Sequence, residues 1–135
     1  MTLNVFMAAR LLDPVNRCAV GHELRVCFRY DPADPYAVQL NVTDSGGRRI
    51  RWLFSRDLLA DGLADRAGHG DVRITSFADT VEIVLSSPDG MARLEFSRAD
   101  LERGLDETEA LVPVGAEAAA FDWDREIALL GRDAA

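Results

Sequence analysis

Few residues of this 135-residue chain have the type and spacing that covalent chemistry needs. His22 and His69 each adjoin a glycine, and His69-Gly70-Asp71 would supply a base beside an orienting carboxylate. A histidine beside glycine in a turn-rich segment reads first as a solvent-exposed loop residue, so no catalytic role is assigned to either. Ser86-Ser87 runs into Pro88-Asp89-Gly90, where turn chemistry accounts for the serines better than nucleophilic activation does. The sequence contains no G-x-S-x-G elbow, no phosphate-binding glycine loop and no H-x-x-x-H pair. Asp31 and Asp34 bracket Pro32 and Pro35. Paired carboxylates can hold a cation or share a proton, but D-P-x-D-P reads first as a rigid turn with aspartate caps and proline-fixed φ. Cys18 and Cys27 are too few and too far apart for a zinc site. A single disulfide stays open as an alternative; reduced thiols suit a cytosolic chain better. The expectation is a protein that is not an enzyme, with no cofactor and no metal.

The arginines are more informative. All 15 basic residues are arginine, against 23 Asp and Glu, for a net charge of −8. Arg25, Arg29, Arg49, Arg51, Arg73 and Arg93 fall on the strand phase opposite the apolar one. A basic sheet face can hold single-stranded nucleic acid, but that mode also needs aromatic platforms, and the same phase offers only Phe6 and Phe77. Glu82 and Glu95 share the phase, so a solvated face of mixed charge is expected, and nucleic acid is not the expected partner. Arg56 and Asp57 would form a local ion pair or present a polar contact at a helix start. An exposed pair contributes about 0–1 kcal/mol, so such residues would matter for recognition more than for folding.

The elements that position these residues come from an internal repeat. Residues 51–63 and 93–105 share the pattern R-x-x-F-S-R-x-x-L-x-x-G-L at an offset of 42 residues. Each copy reads as a strand running directly into a helix. Ile50, Trp52 and Phe54 alternate with polar or outward residues in the first copy, as do Ala92, Leu94 and Phe96 in the second. Ser55 and Ser97 stand where a hydroxyl N-cap is wanted, and Asp100 adds a weak capping box. Leu58, Leu59 and Leu63 form one helical stripe, and Leu101 and Leu105 the other. Gly62 and Gly104 are placed near the helix ends, where glycine relieves the backbone.

Further strands are expected at Leu3–Ala9, Leu24–Tyr30, Val38–Val42, Val72–Ile74 and Val81–Leu85, with turns at Ser45-Gly46-Gly47 and Ser87-Pro88-Asp89-Gly90. The order is therefore ββββα followed by βββα. Residues 107–120 read as an acidic, alanine-rich connection broken by Pro113. A final helix is expected from about Asp122 to Gly131, capped by Asp122. Its Trp123, Ile127 and Leu130 stripe is read as core packing, with docking on a neighbouring subunit as the alternative. The fold class is α+β: two antiparallel sheets closed by helices, in one domain spanning residues 1–135. No stretch approaches the ~20 apolar residues that span a bilayer. Met1 to Leu12 lacks the basic start and cleavage site of a signal peptide, so a cytoplasmic location is expected.

Several blocks together resemble the SsgA-like family of actinomycete sporulation and cell-division proteins. They are Tyr30-Asp31-Pro32-Ala33-Asp34-Pro35-Tyr36-Ala37-Val38, Trp52 and Phe54 with Arg56-Asp57-Leu58-Leu59, Gly62-Leu63, Gly70-Asp71-Val72-Arg73, Leu85 to Gly90, and Val112-Pro113. The resemblance covers roughly Leu24 to Asp122. It implies a Whirly-like ββββα repeat assembled as a homotrimer. It also implies a non-catalytic adaptor in septum-site selection that is recruited to division septa and binds the tubulin-like protein FtsZ or another SsgA-like protein. Asp34, Arg56, Asp57 and Arg73 lie within these blocks and are the expected partner-binding residues.

Overall fold

The computed structural model describes residues 1–133. Ten-residue β1 (Leu3–Leu12) and β2 (Ala19–Tyr30) form a long hairpin, followed by β3 (Ala37–Thr43), β4 (Arg49–Ser55) and α1 (Arg56–Ala64). The second unit is β5 (Arg66–His69), β6 (Val72–Ser76), β7 (Thr80–Ser87), β8 (Gly90–Ser97) and α2 (Arg98–Leu111); α3 (Glu117–Ala120) and α4 (Trp123–Asp133) complete the chain. The second unit is thus ββββα like the first. Its extra strand, β5, has the sequence Arg66-Ala67-Gly68-His69, with no apolar alternation to betray it. Pairing with β6 across the Gly70-Asp71 turn makes it a strand, and Gly70 adopts the positive φ of +59° there.

The two expected sheets are one. All eight strands form a single antiparallel sheet in the order β4-β3-β2-β1-β8-β7-β6-β5. Strand β1 joins the halves: it pairs with β2 along its length, while its last four residues, Ala9 to Leu12, also pair with Phe96 to Arg93 of β8. Without this pairing both strands would present unpaired backbone edges, which cost free energy when buried. The β1–β2 register slips between Ala9 and Leu11, opposite a segment in which Gly21 takes φ +71°.

One face of the sheet and the helices enclose the core. Phe28, Leu40, Ile74, Ile83, Leu59 and Leu101 are all fully buried there. A fully buried side chain of this size contributes roughly 1.5–3 kcal/mol. Leu11, Leu24 and Trp52 of the first half face Leu85 and Leu94 of the second across a small apolar cleft, so the sheet curls around its own core. Gly62 lies near the end of α1 as expected, two residues before Ala64, whereas Gly104 lies in the middle of α2; at both, the helix presses on the sheet. A Cβ on Gly62 would stand 2.4 Å from Ile74 Cγ2, and one on Gly104 3.3 Å from Phe28 Cδ1.

The caps differ between the repeats. Ser55 Oγ accepts the Leu58 amide at 3.0 Å, whereas Ser97 makes no such bond. Helix α2 also runs through Leu111, so the segment expected as a connection from 107 is helical until Val112 and Pro113 stop it. Helix α4 starts where expected: Asp122 Oδ1 accepts the Arg125 amide at 2.9 Å.

Candidate functional site

The face of the sheet turned away from the helices holds the outward arginines. In its β1–β4 half the pairing aligns three rows of side chains: Asn4-Arg29-Gln39-Leu53, Phe6-Cys27-Asn41-Arg51 and Ala8-Arg25-Thr43-Arg49. These twelve positions carry four arginines and no carboxylate. Arg25, Arg29, Arg49 and Arg51 make no ion pair among the described residues. Phe6 is 75% exposed and Leu53 58%. Between the strands runs an open groove of about 650 Å³, lined by Phe6, Arg25, Cys27, Arg29, Arg49 and Arg51 among others. Burial pushes the Cys27 thiol up, and the nearby Arg29 only partly opposes this, so the thiol is held in its neutral form.

The β5–β8 half differs. There the turn between β1 and β2 folds over the sheet, ordered by Asp13, whose carboxylate accepts the Val15 and Asn16 amides at 2.8 and 3.0 Å. Those bonds hold the Asp13 carboxyl below its usual range. Arg17, with φ +63°, reaches from this turn to Glu82 and lies over the Phe77 ring at 5.6 Å. Glu82 is buried and is shared with Arg93 at 3.4 Å. Mixed-charge pairing is found here, whereas the three paired rows of the β1–β4 half carry no carboxylate; the exposed Glu23, two residues before Arg25 on β2, borders them.

The residues expected to bind a partner are not brought together. Arg56 is 2% exposed. Its guanidinium donates to Thr108 O at 3.2 Å, Val112 O at 2.6 Å and Glu117 at 2.7 Å, and lies 5.5 Å from the Tyr30 ring centroid. It pairs neither with Asp57 nor with solvent, because four partners from distant segments enclose it. Arg56 is a fold-holding residue, not a surface contact. Asp57 is exposed at the start of α1, on the helix side of the sheet. Arg73 is exposed on the outer face of β6, beside Gly68 and Val84. Asp34 is half-buried in the β2–β3 turn, four strand positions from Arg73, or about 19 Å across the sheet. Burial and then Glu126 raise its carboxyl above the ordinary value.

The D-P-x-D-P segment is the rigid turn its prolines predict. Asp31 Oδ1 accepts the Ala33 amide at 2.9 Å, and the Asp34 amide donates to Asp31 O at 2.9 Å. Asp31 also binds Arg125 of α4 at 3.0 Å. Burial works to raise the Asp31 carboxyl, but the Ala33 amide and Arg125 outweigh it and leave it lowered. Tyr30 closes the end of its strand, its hydroxyl donating to Pro35 O at 3.0 Å. Trp123, Ile127 and Leu130 do not enter the core: they are 62%, 61% and 67% exposed, and Trp123 packs edge-on against Phe121 at 4.5 Å. His22 lies exposed in β2 and His69 exposed at the end of β5. Among the described residues no group of three or more His, Cys, Asp or Glu side chains is placed to hold a metal ion. None of the described helices is long and apolar enough to cross a membrane.

Comparison with known proteins matches the family described as "Streptomyces sporulation and cell division protein, SsgA" over residues 24–117. The sporulation-specific cell division protein SsgB of Salinispora tropica is 41% identical over 132 residues, covering 93% of this chain and 90% of that protein. SsgB of Streptomyces coelicolor is 44% identical over 104 residues, covering 74% of this chain and 76% of the relative. A solved structure from work on SsgB mutations and longitudinal cell division in Streptomyces coelicolor superposes with a TM-score of 0.81 at 38% identity, covering 90% of this chain and 96% of that one. The crystal structure of an SsgA-like sporulation-specific cell division protein from Thermobifida fusca gives 0.83 at 35% identity, covering 95% and 94%. The fold is thus shared with these structures, and the chain belongs to the SsgA family of sporulation and cell division proteins.

Proposed function

We propose that this protein is a non-catalytic adaptor in sporulation-linked cell division, acting in septum-site selection by binding FtsZ or another SsgA-like protein. One observation carries the reading: relatives named as sporulation-specific cell division proteins align with nearly the whole chain, not with a fragment of it. The broad, open sheet face and the shallow clefts suit protein contact better than enclosure of a small substrate. In this reading the chain works as a cytoplasmic, Whirly-like homotrimer drawn to division septa. Asp34, Asp57 and Arg73, which are accessible on three separate parts of the surface, remain its proposed partner contacts.

Light scattering tests this directly. The expected result is a mass of three chains that rises when FtsZ is added and is unchanged by a single-stranded oligonucleotide. A strictly monomeric protein at micromolar concentration that captures no division protein would overturn the adaptor reading. In cells, a fluorescent fusion is expected to form ladders at sporulation septa; uniform fluorescence throughout sporulation counts against it.

A single-stranded nucleic-acid module is the second reading, favoured by the cofacial Arg25, Arg29, Arg49 and Arg51. Sequence-tolerant binding of that kind stacks successive bases on aromatic rings. Phe6 is the one ring among the twelve positions of this face, which places the reading second. A flat titration with oligonucleotides at low salt removes it.

A further inference from the structure

The β1–β4 face concentrates positive charge on a chain whose net charge is −8. Random scatter of 15 arginines among 23 acidic residues would leave carboxylates interspersed among them, as they are on the β5–β8 half. On the β1–β4 half the three paired rows contain none. Beyond the Arg29 row stands Asp31, already engaged by Ala33 and Arg125, and beyond the Arg25 row the exposed Glu23. Four guanidiniums held together with no carboxylate in their own rows repel one another, and that repulsion favours a ligand that supplies carboxylates.

From this we infer that the outer face of β1–β4 binds an extended acidic segment of a partner protein, with apolar side chains of that segment seated on Phe6 and Leu53. The inference rests on the adaptor reading above and names the chemistry of its partner. The spacing fits. Arg49 and Arg51 are alternate residues of one strand, so their stems stand about 6.8 Å apart, which is also the spacing of alternate side chains in an extended peptide. Arg25 and Arg49 share a row two strands apart, about 10 Å, so an acidic segment crossing the strands meets guanidiniums on both sides. Each guanidinium can take a carboxylate through two parallel N–H donors. Phe6 and Leu53 lie at opposite sides of the patch and give it two apolar footholds within the basic field. A protein segment is favoured over a nucleic acid because the patch offers carboxylates four charge partners and two apolar contacts, but only one ring on which a base would stack.

The test is fluorescence anisotropy with the full chain at about 50 mM salt, where surface charges are weakly screened. The probes are a labelled dodecapeptide of Asp and Glu with two leucines, its Asn/Gln counterpart, and a twelve-nucleotide oligothymidine. The acidic peptide is expected to bind and to weaken steeply with added salt, while the neutral peptide does not bind. The double variant Arg25→Gln/Arg51→Gln is expected to lose about tenfold in affinity, and Arg66→Gln on the other half to stay within about twofold. Circular dichroism of each variant establishes that it is folded; these are exposed residues without ion pairs, so the native spectrum is expected. No binding of the acidic peptide, equal losses in the two variants, or tighter binding of oligothymidine overturns the inference. If FtsZ capture persists in any of those cases, the adaptor reading stands and only the assignment of this face falls.

Discussion

Arg56 and Arg98 hold each other's helices. Each is the first residue of its own helix, following the capping-position serine of its repeat. Arg56, opening α1, donates to Thr108 O and Val112 O at the C-terminal end of α2. Arg98, opening α2, donates to Leu63 O at the C-terminal end of α1, at 3.0 Å, and to Phe77 O at 2.9 Å. The last carbonyls of a helix have no partner within it and carry its negative end, so a guanidinium there both satisfies and neutralises them. The repeat is thus an exchange of caps: neither ββββα unit completes its own helix.

The exchange is asymmetric in depth, and stability should follow depth. Arg56 is buried, whereas the Arg98 side chain is 32% exposed and shares itself with Glu102. Arg56→Ala is expected to cost about 3–5 kcal/mol, because it leaves the Val112 carbonyl and the Glu117 carboxylate without their donor, while Thr108 O keeps the Val112 amide. Arg98→Ala, where water can replace the donor, is expected to cost about 1 kcal/mol. Arg56→Lys should not restore stability, since one ammonium cannot reproduce the planar fork that reaches three acceptors. Urea denaturation of the three variants checks this, and equal losses at Arg56 and Arg98 would contradict the burial argument.

The two repeat glycines should respond unequally to alanine. At Gly62 the new methyl would meet Ile74 Cβ and Cγ2 at 2.4 Å, so helix α1 must move off β6. A loss of about 1–3 kcal/mol is expected, typical of overpacking. At Gly104 the contact is with the Phe28 ring at 3.3–3.4 Å. There the helix-propensity gain of about 1 kcal/mol offsets the crowding, and Gly104→Ala should stay near wild type. Thermal melts of the pair would decide it.

Acid should loosen the α2–α3 junction. The hydrogen bond from Arg56 holds the Glu117 carboxyl below its ordinary value of 4.5, aided by backbone amides. The unfolded chain therefore takes up a proton at Glu117 more readily than the native chain does. The stabilisation is complete above the unfolded value and is lost as pH falls through the native one. A plot of denaturation midpoint against pH is expected to fall below about pH 4.5, with a shallower fall in Glu117→Gln. Parallel curves for the two proteins would show that Glu117 is not the group responsible.

Helix α4 should behave as a lightly held appendage. Its anchors are the half-exposed Asp31–Arg125 pair, the Asp122 amide on Ala33 O at 3.0 Å, and the contact of Phe121 with Tyr36 and Trp123. Trp123→Phe is expected to change stability by less than about 0.5 kcal/mol, as exposed substitutions do. It should also remove most of the iodide-quenchable tryptophan fluorescence, since Trp52 is the more buried of the two. A large loss of stability would place Trp123 in the core after all.

Much of the fold was legible because its signals are local. Val38, Leu40 and Val42 alternate with polar residues, and the hairpin turns carry glycine where positive φ is needed, as at Gly47 and Gly90. Ser55 caps α1 with a bond that spans three residues. Strand β5 was not legible: Arg66 to His69 become a strand only because β6 lies alongside. Ser97 shows the reverse failure, a cap residue in sequence that makes no cap bond in the fold.

The candidate site divides in the same way. Alternation placed six arginines on one phase, and all four strands that carry them present that phase outward. Which of them are neutralised could not be read from the phase, because Glu82 is claimed by Arg17, a residue 65 positions away in another unit's turn. Arg56 reads as a surface residue by type and neighbours; its partners Thr108, Val112 and Glu117 lie 52, 56 and 61 residues downstream. By itself the sequence determined the repeat, the strand phases, the rigid Asp31–Pro35 turn and the family. Tertiary structure alone decided that two half-sheets share β1, that Arg56 is buried, and that Glu82 neutralises arginines on one half of the outer face. The physical reason is that periodicity records which side of an element is buried, whereas ion pairs and sheet closure depend on which distant element arrives there.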